Sequence, residues 1–425
     1  MISEKLKPCS FFTKATIWLL LLSQILKTYG FVSYWNFASI PTYILALAYL
    51  VMMGTNSKKY KVDMPLELPL FFCYWIVIHI YSNIHGNPFP DSIIQIIISF
   101  ILFWGVITAN QLPRLIYYYR IVGAICIGFF FIQEIGYYSS GYRISGVFSF
   151  LPIALNSVSD MGSFMMEKIT ATRSSSFFSE PAYFAQYIIP LLAIEIFYDK
   201  SRLHNLYSAI ILIAILLSSA GSGIVGLSGV VVAYVLSLTK LKKSNRFLAV
   251  VFSTVLLLMV SNYYMNSVIG QRLRERQTEV SYEYQGGSRS GFMRLYRGLH
   301  VFENYSPTEK IFGNDNNQEI FHHIIRSDAF DTFGENNDTF FNGYQYCLLR
   351  TGFIGLFIMV LLIYKILRQN SFCGKAIILS FACLMAVEAM FFGNNMILFL
   401  ILAYRMKQRN LSSNESSLYI KHRLR

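Results

Sequence analysis

Charge is scarce in this chain. Of its 425 residues only 14% are Asp, Glu, Lys or Arg, against about a quarter in soluble domains, and this excludes a single water-soluble domain. Cysteine is also sparse. Cys9, Cys73, Cys126, Cys347, Cys373 and Cys383 fall in apolar runs or basic connectors and form no CxxC pair, so neither a disulfide scaffold nor a thiolate zinc site is indicated. There is no P-loop and no HExxH. A GxGxxG match at 221–226 joins two apolar runs and follows no soluble strand; small residues permitting close helix packing are the expected role. His322 and His323 are neighbours that cannot share a helix face. No cofactor and no metal are expected.

Apolar residues are abundant, at 54% of the chain with a mean hydropathy of +0.45. A helix needs ~20 of them to cross a ~30 Å hydrocarbon core. Twelve apolar runs are found, at 15–29, 40–53, 66–81, 93–109, 115–132, 182–198, 206–220, 224–238, 247–264, 341–366, 376–392 and 396–404. They predict an all-α polytopic membrane protein with about 12 transmembrane helices, residues 1–425 forming one integral domain. The first 12 residues hold no apolar h-region, so the first run is expected to be a retained anchor.

The excess of 36 Lys and Arg over 23 Asp and Glu gives a net charge of +13. Its distribution identifies its meaning. With a cytoplasmic start, 23 of the basic residues fall on the inside, among them Lys58, Lys59, Lys61, Lys240, Lys242, Lys243 and Arg246. That pattern obeys the positive-inside rule, with both termini cytoplasmic, and removes nucleic acid as the partner.

Two exterior segments are long, 136–181 and 265–340, and loops of such length are commonly functional. The first ends in Arg173, three serines and Glu180 before Pro181. Proline suits a first helical turn, so Glu180 is placed at a helix N-terminus, as a cap or as a carboxylate beside the Arg173 cation. In the second loop Ser290 is expected to cap a helix whose Phe292, Leu295, Leu299 and Phe302 share a face, with Arg294 and Arg297 together on the other. This predicts an interfacial amphipathic helix, either merely solvated on its basic side or presenting its arginines to a lipid-linked anion. Loop aromatics such as Tyr282, Tyr284, Tyr296, Tyr305 and Phe312 suit sugar stacking or packing equally. Within the spans, Arg350 and Glu388 match in depth and are expected to pair, or else to snorkel.

The order of 173–186, the Ser218 to Gly223 turn, the arginine-bearing 288–313 and the 337–355 stretch resembles the O-antigen polymerase family, whose relatives include O-antigen ligases. Ligases usually carry a histidine shortly before the tenth span, where this chain has Asn337 and Asp338, and the departure favours polymerase. The resemblance implies an inner-membrane glycosyltransferase with two periplasmic loops. It would move a growing glycan from polyprenyl diphosphate to another lipid-linked repeat unit, working beside a chain-length regulator and a flippase. Arg173, Arg289, Arg294, Arg297 and Arg350 are then expected to hold the diphosphate-linked oligosaccharide, and Glu180 or Asp338 to receive or orient the acceptor hydroxyl. A ligase acting on lipid A-core and a flippase or other transporter are the alternatives.

Overall fold

The computed structural model describes residues 10–31, 36–55, 62–84, 89, 91–154, 161–171, 173–198, 202–238, 293–327, 341–368, 370–391 and 393–406. Among them no β-strand occurs, and the architecture is all-helical. In chain order the helices are α1 (Phe11–Leu26), α2 (Ser39–Thr55), α3 (Glu67–Ser82), α4 (Asp91–Val106), α5 (Leu112–Ser140), α6 (Met161–Thr170), α7 (Pro181–Phe197), α8 (Arg202–Leu217) and α9 (Gly221–Leu238). After these come α10 (Gly298–Glu303), α11 (Pro307–Phe312), α12 (Asn317–Arg326), α13 (Gly343–Arg368), α14 (Phe372–Met385) and α15 (Asn394–Met406).

Eleven of the twelve apolar runs lie on helices; the run at 247–264 falls outside the described residues. Three helices are long and apolar enough to cross a membrane: that at 109–140, which includes α5, together with α9 and α13. Local chemistry sets the ends. Ser10 and Ser371 cap α1 and α14 by accepting the amides of Thr13 and Gly374. Gly141, with φ of 77°, terminates α5 in the left-handed conformation that lacks a Cβ penalty.

Helix α7 is buried along most of its length and packs against α5, α8, α9 and α14. Helices α9 and α14 approach at backbone distance, for a Cβ on Gly229 would stand 2.3 Å from the Ser380 nitrogen. Within 221–226, Cβ atoms on Gly223 and Gly226 would stand 3.0 Å from Ala185 and 2.5 Å from Ile189 of α7, so these two glycines serve helix packing, while Gly221 has nothing within 4 Å. Helices α3 and α13 run antiparallel, since Glu67 at the start of α3 accepts from Lys365 near the end of α13 at 2.7 Å. One end of this bundle carries the 136–181 segment and α10–α12, and is called the loop end below.

The loops depart from the sequence expectation in two ways. First, α5 runs on to Ser140 and α6 forms inside 136–181. Second, the predicted amphipathic helix over 292–302 is not continuous: residues Met293–Arg297 form a π-turn, and only then does α10 begin. A π-turn winds more residues per turn than the 3.6 that the pattern assumed, so the faces are redistributed. Arg297 becomes buried beside Phe341 while Leu299 is exposed. Val301, Phe302 and Tyr305 pack with Ile320 and Ile324 of α12 onto Leu348 and Leu349 of α13.

Candidate functional site

The segment before α7 is fixed from beneath. Gln133 of α5 accepts from the Ser176 amide at 2.8 Å, and the Ser176 hydroxyl donates to the Cys126 carbonyl at 2.7 Å. Arg143 is held by Ser174 at 2.8 Å and Glu134 at 3.3 Å, and Phe177 stacks between Phe129 and Phe148. With these anchors in place, Arg173 and Glu180 are presented at the loop end from a rigid strip of backbone.

Arg173 donates to the Ser219 carbonyl at 3.4 Å, at the turn between α8 and α9. Glu180 is exposed and occupies the N-cap position of α7, but its side chain makes no capping bond. Among the described residues its carboxylate accepts no hydrogen bond and sits in no close ion pair. The capping explanation for this residue therefore fails, leaving a carboxylate available to a ligand. One helical turn on, the Tyr183 ring carries the Lys27 ammonium 4.0 Å from its centroid. Lys27 lies in the fields of both Glu180 and Glu388.

Glu388 follows α14 and is buried. It pairs with Arg294 at 2.8 Å, stands within the field of Glu180, and has Ser222 beside it without a full hydrogen bond. The loop arginine reaches it because Asn342 and Gln345 hold the carbonyls of Arg294 and Leu295 at 2.7 Å each, while the Gly343 amide donates to the Glu388 carbonyl at 2.8 Å. Lys168 of α6 completes the group by donating to the Ser179 carbonyl. Burial pulls its ammonium below the ordinary range and Arg173 adds to the fall, while Glu167 and Glu180 oppose it.

Arg173, Glu180 and Arg294 are thus brought to one end of the bundle, as the sequence led us to expect. Other expectations are corrected. Arg350 does not pair with Glu388; it binds Asp315, and Asn317 at 2.8 Å. The expected depth match fails, because Glu388 sits by Gly343, seven residues or about 10 Å along α13 from Arg350. Arg297 is turned into the packing of α10 rather than toward the cluster face. Tyr305 packs against the rings of Phe302 and His323 in tilted arrangements and is buried, which makes it a packing aromatic. Arg289 and Asp338 lie outside the described residues.

Lys27, Lys168 and Tyr183 were missed. Lys27 carried a usable signal, as a lone cation at the end of an apolar run; Lys168 and Tyr183 carried none. The assembled group holds four cations, Lys27, Lys168, Arg173 and Arg294, against Glu180, Glu388 and Glu167, which neighbours Lys168. One positive charge remains in excess, in a partly desolvated setting where charge acts more strongly than in bulk water. Comparison with protein-family models and with curated proteins finds no match.

Proposed function

We propose that this protein is an inner-membrane glycosyltransferase that polymerises lipid-linked oligosaccharide repeat units, with the loop end facing the periplasm and about twelve spans in the bilayer. The observation that carries the reading is the cluster itself: four cations gathered beside an available carboxylate, at one end of an apolar bundle. A polyprenyl diphosphate sugar carries two negative charges on its diphosphate bridge, which suit a site where cations converge.

In the proposed step the bond between the sugar anomeric carbon and the diphosphate oxygen breaks, and polyprenyl diphosphate leaves with the electron pair. The acceptor hydroxyl oxygen bonds to that carbon, and its proton passes to Glu180. Arg173 and Arg294 face the charge that gathers on the leaving group, where a preorganised donor supplies ~3 kcal/mol. Lys27 and Lys168 add to the field. Glu388 orients Arg294 by its ion pair.

The test is the surface-glycan ladder of a deletion strain carrying Arg173→Ala, Arg294→Lys or Glu180→Gln protein at matched membrane levels. Loss of long chains with single repeat units persisting is expected in each case. Unchanged chain length in both arginine variants would refute the site. Polymer that forms but fails to reach lipid A would identify a ligase, and repeat units retained on the cytoplasmic side would identify a transporter.

A further inference from the structure

The connection from α11 to α12 runs down into the bundle and back out. At the bottom, the Tyr74 hydroxyl donates to the Phe312 carbonyl at 2.9 Å. Tyr74 stands eight residues before Ser82 at the end of α3, about 12 Å below that end. On the other side Gly313 meets Gly352 of α13, nine residues or about 13 Å in from Gly343. The chain then climbs. The Asp315 amide donates to the Ser82 hydroxyl at 3.2 Å, its carboxylate pairs with His79 at 2.6 Å and with Arg350, and Asn83 donates to the Asp315 carbonyl at 3.1 Å.

The dip is built into α13. Gly352 has φ of 61° and ψ of −167°, which breaks the helix, and Gly313 has φ of 89°. Both conformations favour glycine. Each residue fills the space a Cβ would need: one on Gly352 would lie 2.3 Å from the Ile311 carbonyl oxygen, and one on Gly313 would lie 2.5 Å from the Arg350 carbonyl oxygen. The broken helix and the dipping chain satisfy each other, since the Asn314 amide donates to the Leu349 carbonyl at 2.9 Å.

Polarity is partitioned across this segment. Gly313, Asn314 and Asp315 are buried, whereas Ile311 and Phe312 are 46% and 44% exposed. The two helices that hold this segment, through Tyr74 of α3 and Gly352 of α13, carry exposed apolar side chains of their own, Val77 at 61% on α3 and Phe353 and Phe357 at 53% and 63% on α13. Helix α13 is among those long and apolar enough to cross a membrane. Ile311 and Phe312 are therefore exposed between two helices whose own exposed side chains have a lipid-facing composition. Irregular backbone survives at membrane depth only where protein buries it, and this segment buries its irregular turn while turning two large apolar side chains outward.

We infer that 307–317 is a re-entrant wedge, and that Ile311 and Phe312 bind acyl chains of the lipid leaflet at the loop end. The wedge joins the loop helices to the bilayer at a fixed depth. It stands independently of the glycosyl-transfer reading, for it concerns where the segment lies and not what the cluster does.

The test places tryptophan at position 312 in the full-length protein in lipid nanodiscs and reads the emission added above the four native tryptophans. Glu303→Trp, at the exposed end of α10, serves as the aqueous reference. For Phe312→Trp, most of the added emission should be lost in nanodiscs of lipid brominated along its acyl chains, and iodide in the buffer should leave it intact. Iodide quenching equal to that of the Glu303→Trp protein would overturn the inference. So would protection from both quenchers, which would mean that another protein surface or a second copy covers the wedge. Ile311→Trp is read in the same way, so the result does not hang on the tolerance of one position.

Discussion

The Arg294–Glu388 pair is best probed by a double-variant cycle, with methionine replacing each residue and then both, because methionine keeps side-chain length while removing charge. The pair spans 2.8 Å, with the Arg294 side chain about a quarter exposed and that of Glu388 nearly enclosed. Breaking a fully buried pair from one side costs ~3–5 kcal/mol, and the partial exposure of Arg294 brings the expectation to roughly 2–3 kcal/mol for each single variant. The double variant should lose less than the sum, leaving a coupling of roughly 2 kcal/mol, well beyond the ~0.5 kcal/mol seen between independent sites. Thermal unfolding in detergent can be followed with a thiol-reactive dye, because Cys126, Cys347 and Cys373 are buried until the fold opens. Each single substitution should lower the midpoint by several degrees, and the double should recover part of that loss. Chain growth separates stability from chemistry: the double variant regains stability but not long glycans, since the cation is still missing. Additive effects would show that the pair does not form, and a normal glycan ladder in the double variant would show that Arg294 serves only the fold.

Two further outcomes follow from local geometry. Gly352→Ala should cost about 2–3 kcal/mol, because its backbone lies where only glycine is comfortable and the new Cβ would strike the Ile311 carbonyl. Gly54→Ala, with nothing within 4 Å, is the matched control, and the same thermal assay reads both. Burial alone would raise the Glu309 pKa, but hydrogen bonds from Asn314, Ser306 and His323 hold it at about 2, against an ordinary 4.5. A depressed carboxylate stabilises the fold above its unfolded value. Protection of the 306–314 amides from hydrogen exchange, corrected for intrinsic rate, should therefore be complete above pH 4.5 and fall as the pH drops toward about 2. Glu309→Gln should flatten that dependence; an unchanged profile would show that another group controls it.

The long helices were legible because each coincides with an apolar run, and at α7 boundary chemistry added a second sign. Pro181 marked the start of α7, and with it the place of Glu180. The partners of the charges were not legible. Position along one helix can be counted from sequence, but the offset between two helices, and which neighbour a side chain faces, depend on how they are shifted, rotated and packed. Arg350 and Glu388 therefore looked like partners, while the loop brought Asp315 to one and Arg294 to the other. Lys27 joins Glu180 and Glu388 although 153 residues separate it from the first of them, and no periodicity reports such an encounter. The face of the predicted amphipathic helix failed for a local reason, because one π-turn at Met293–Arg297 shifts every later side chain.

The ion pairs also describe the bundle as a whole. On α3 charge occurs at Glu67 and His79, on α5 at Arg120 and Glu134, on α7 at Glu195 with Glu180 preceding the helix, and on α13 at Arg350 and Lys365, with none between the two members of each set. At 1.5 Å per residue these intervals are about 18–23 Å. They line up in space. Glu67 meets Lys365, Arg120 meets Glu195 at 2.6 Å, and Cys373 reaches the Ala193 carbonyl at 3.5 Å, all at the end opposite the loops. Asp315 gathers His79 and Arg350 at the loop end. An uncharged slab bounded by two layers of paired charge is what a bilayer demands of a helical bundle. Its thickness falls short of the ~30 Å hydrocarbon core, a gap that can be met at the rims, where long basic side chains lay their stems along apolar surface and keep their charge at the edge. The end opposite the loops also holds Arg368, Lys375 and Arg405 at or beside the ends of α13, α14 and α15, and Lys and Arg on short connections are what the positive-inside rule counts. That agrees with the proposed orientation, in which the loop end faces away from the cytoplasm, the side on which the proposed reaction needs its diphosphate-linked substrate.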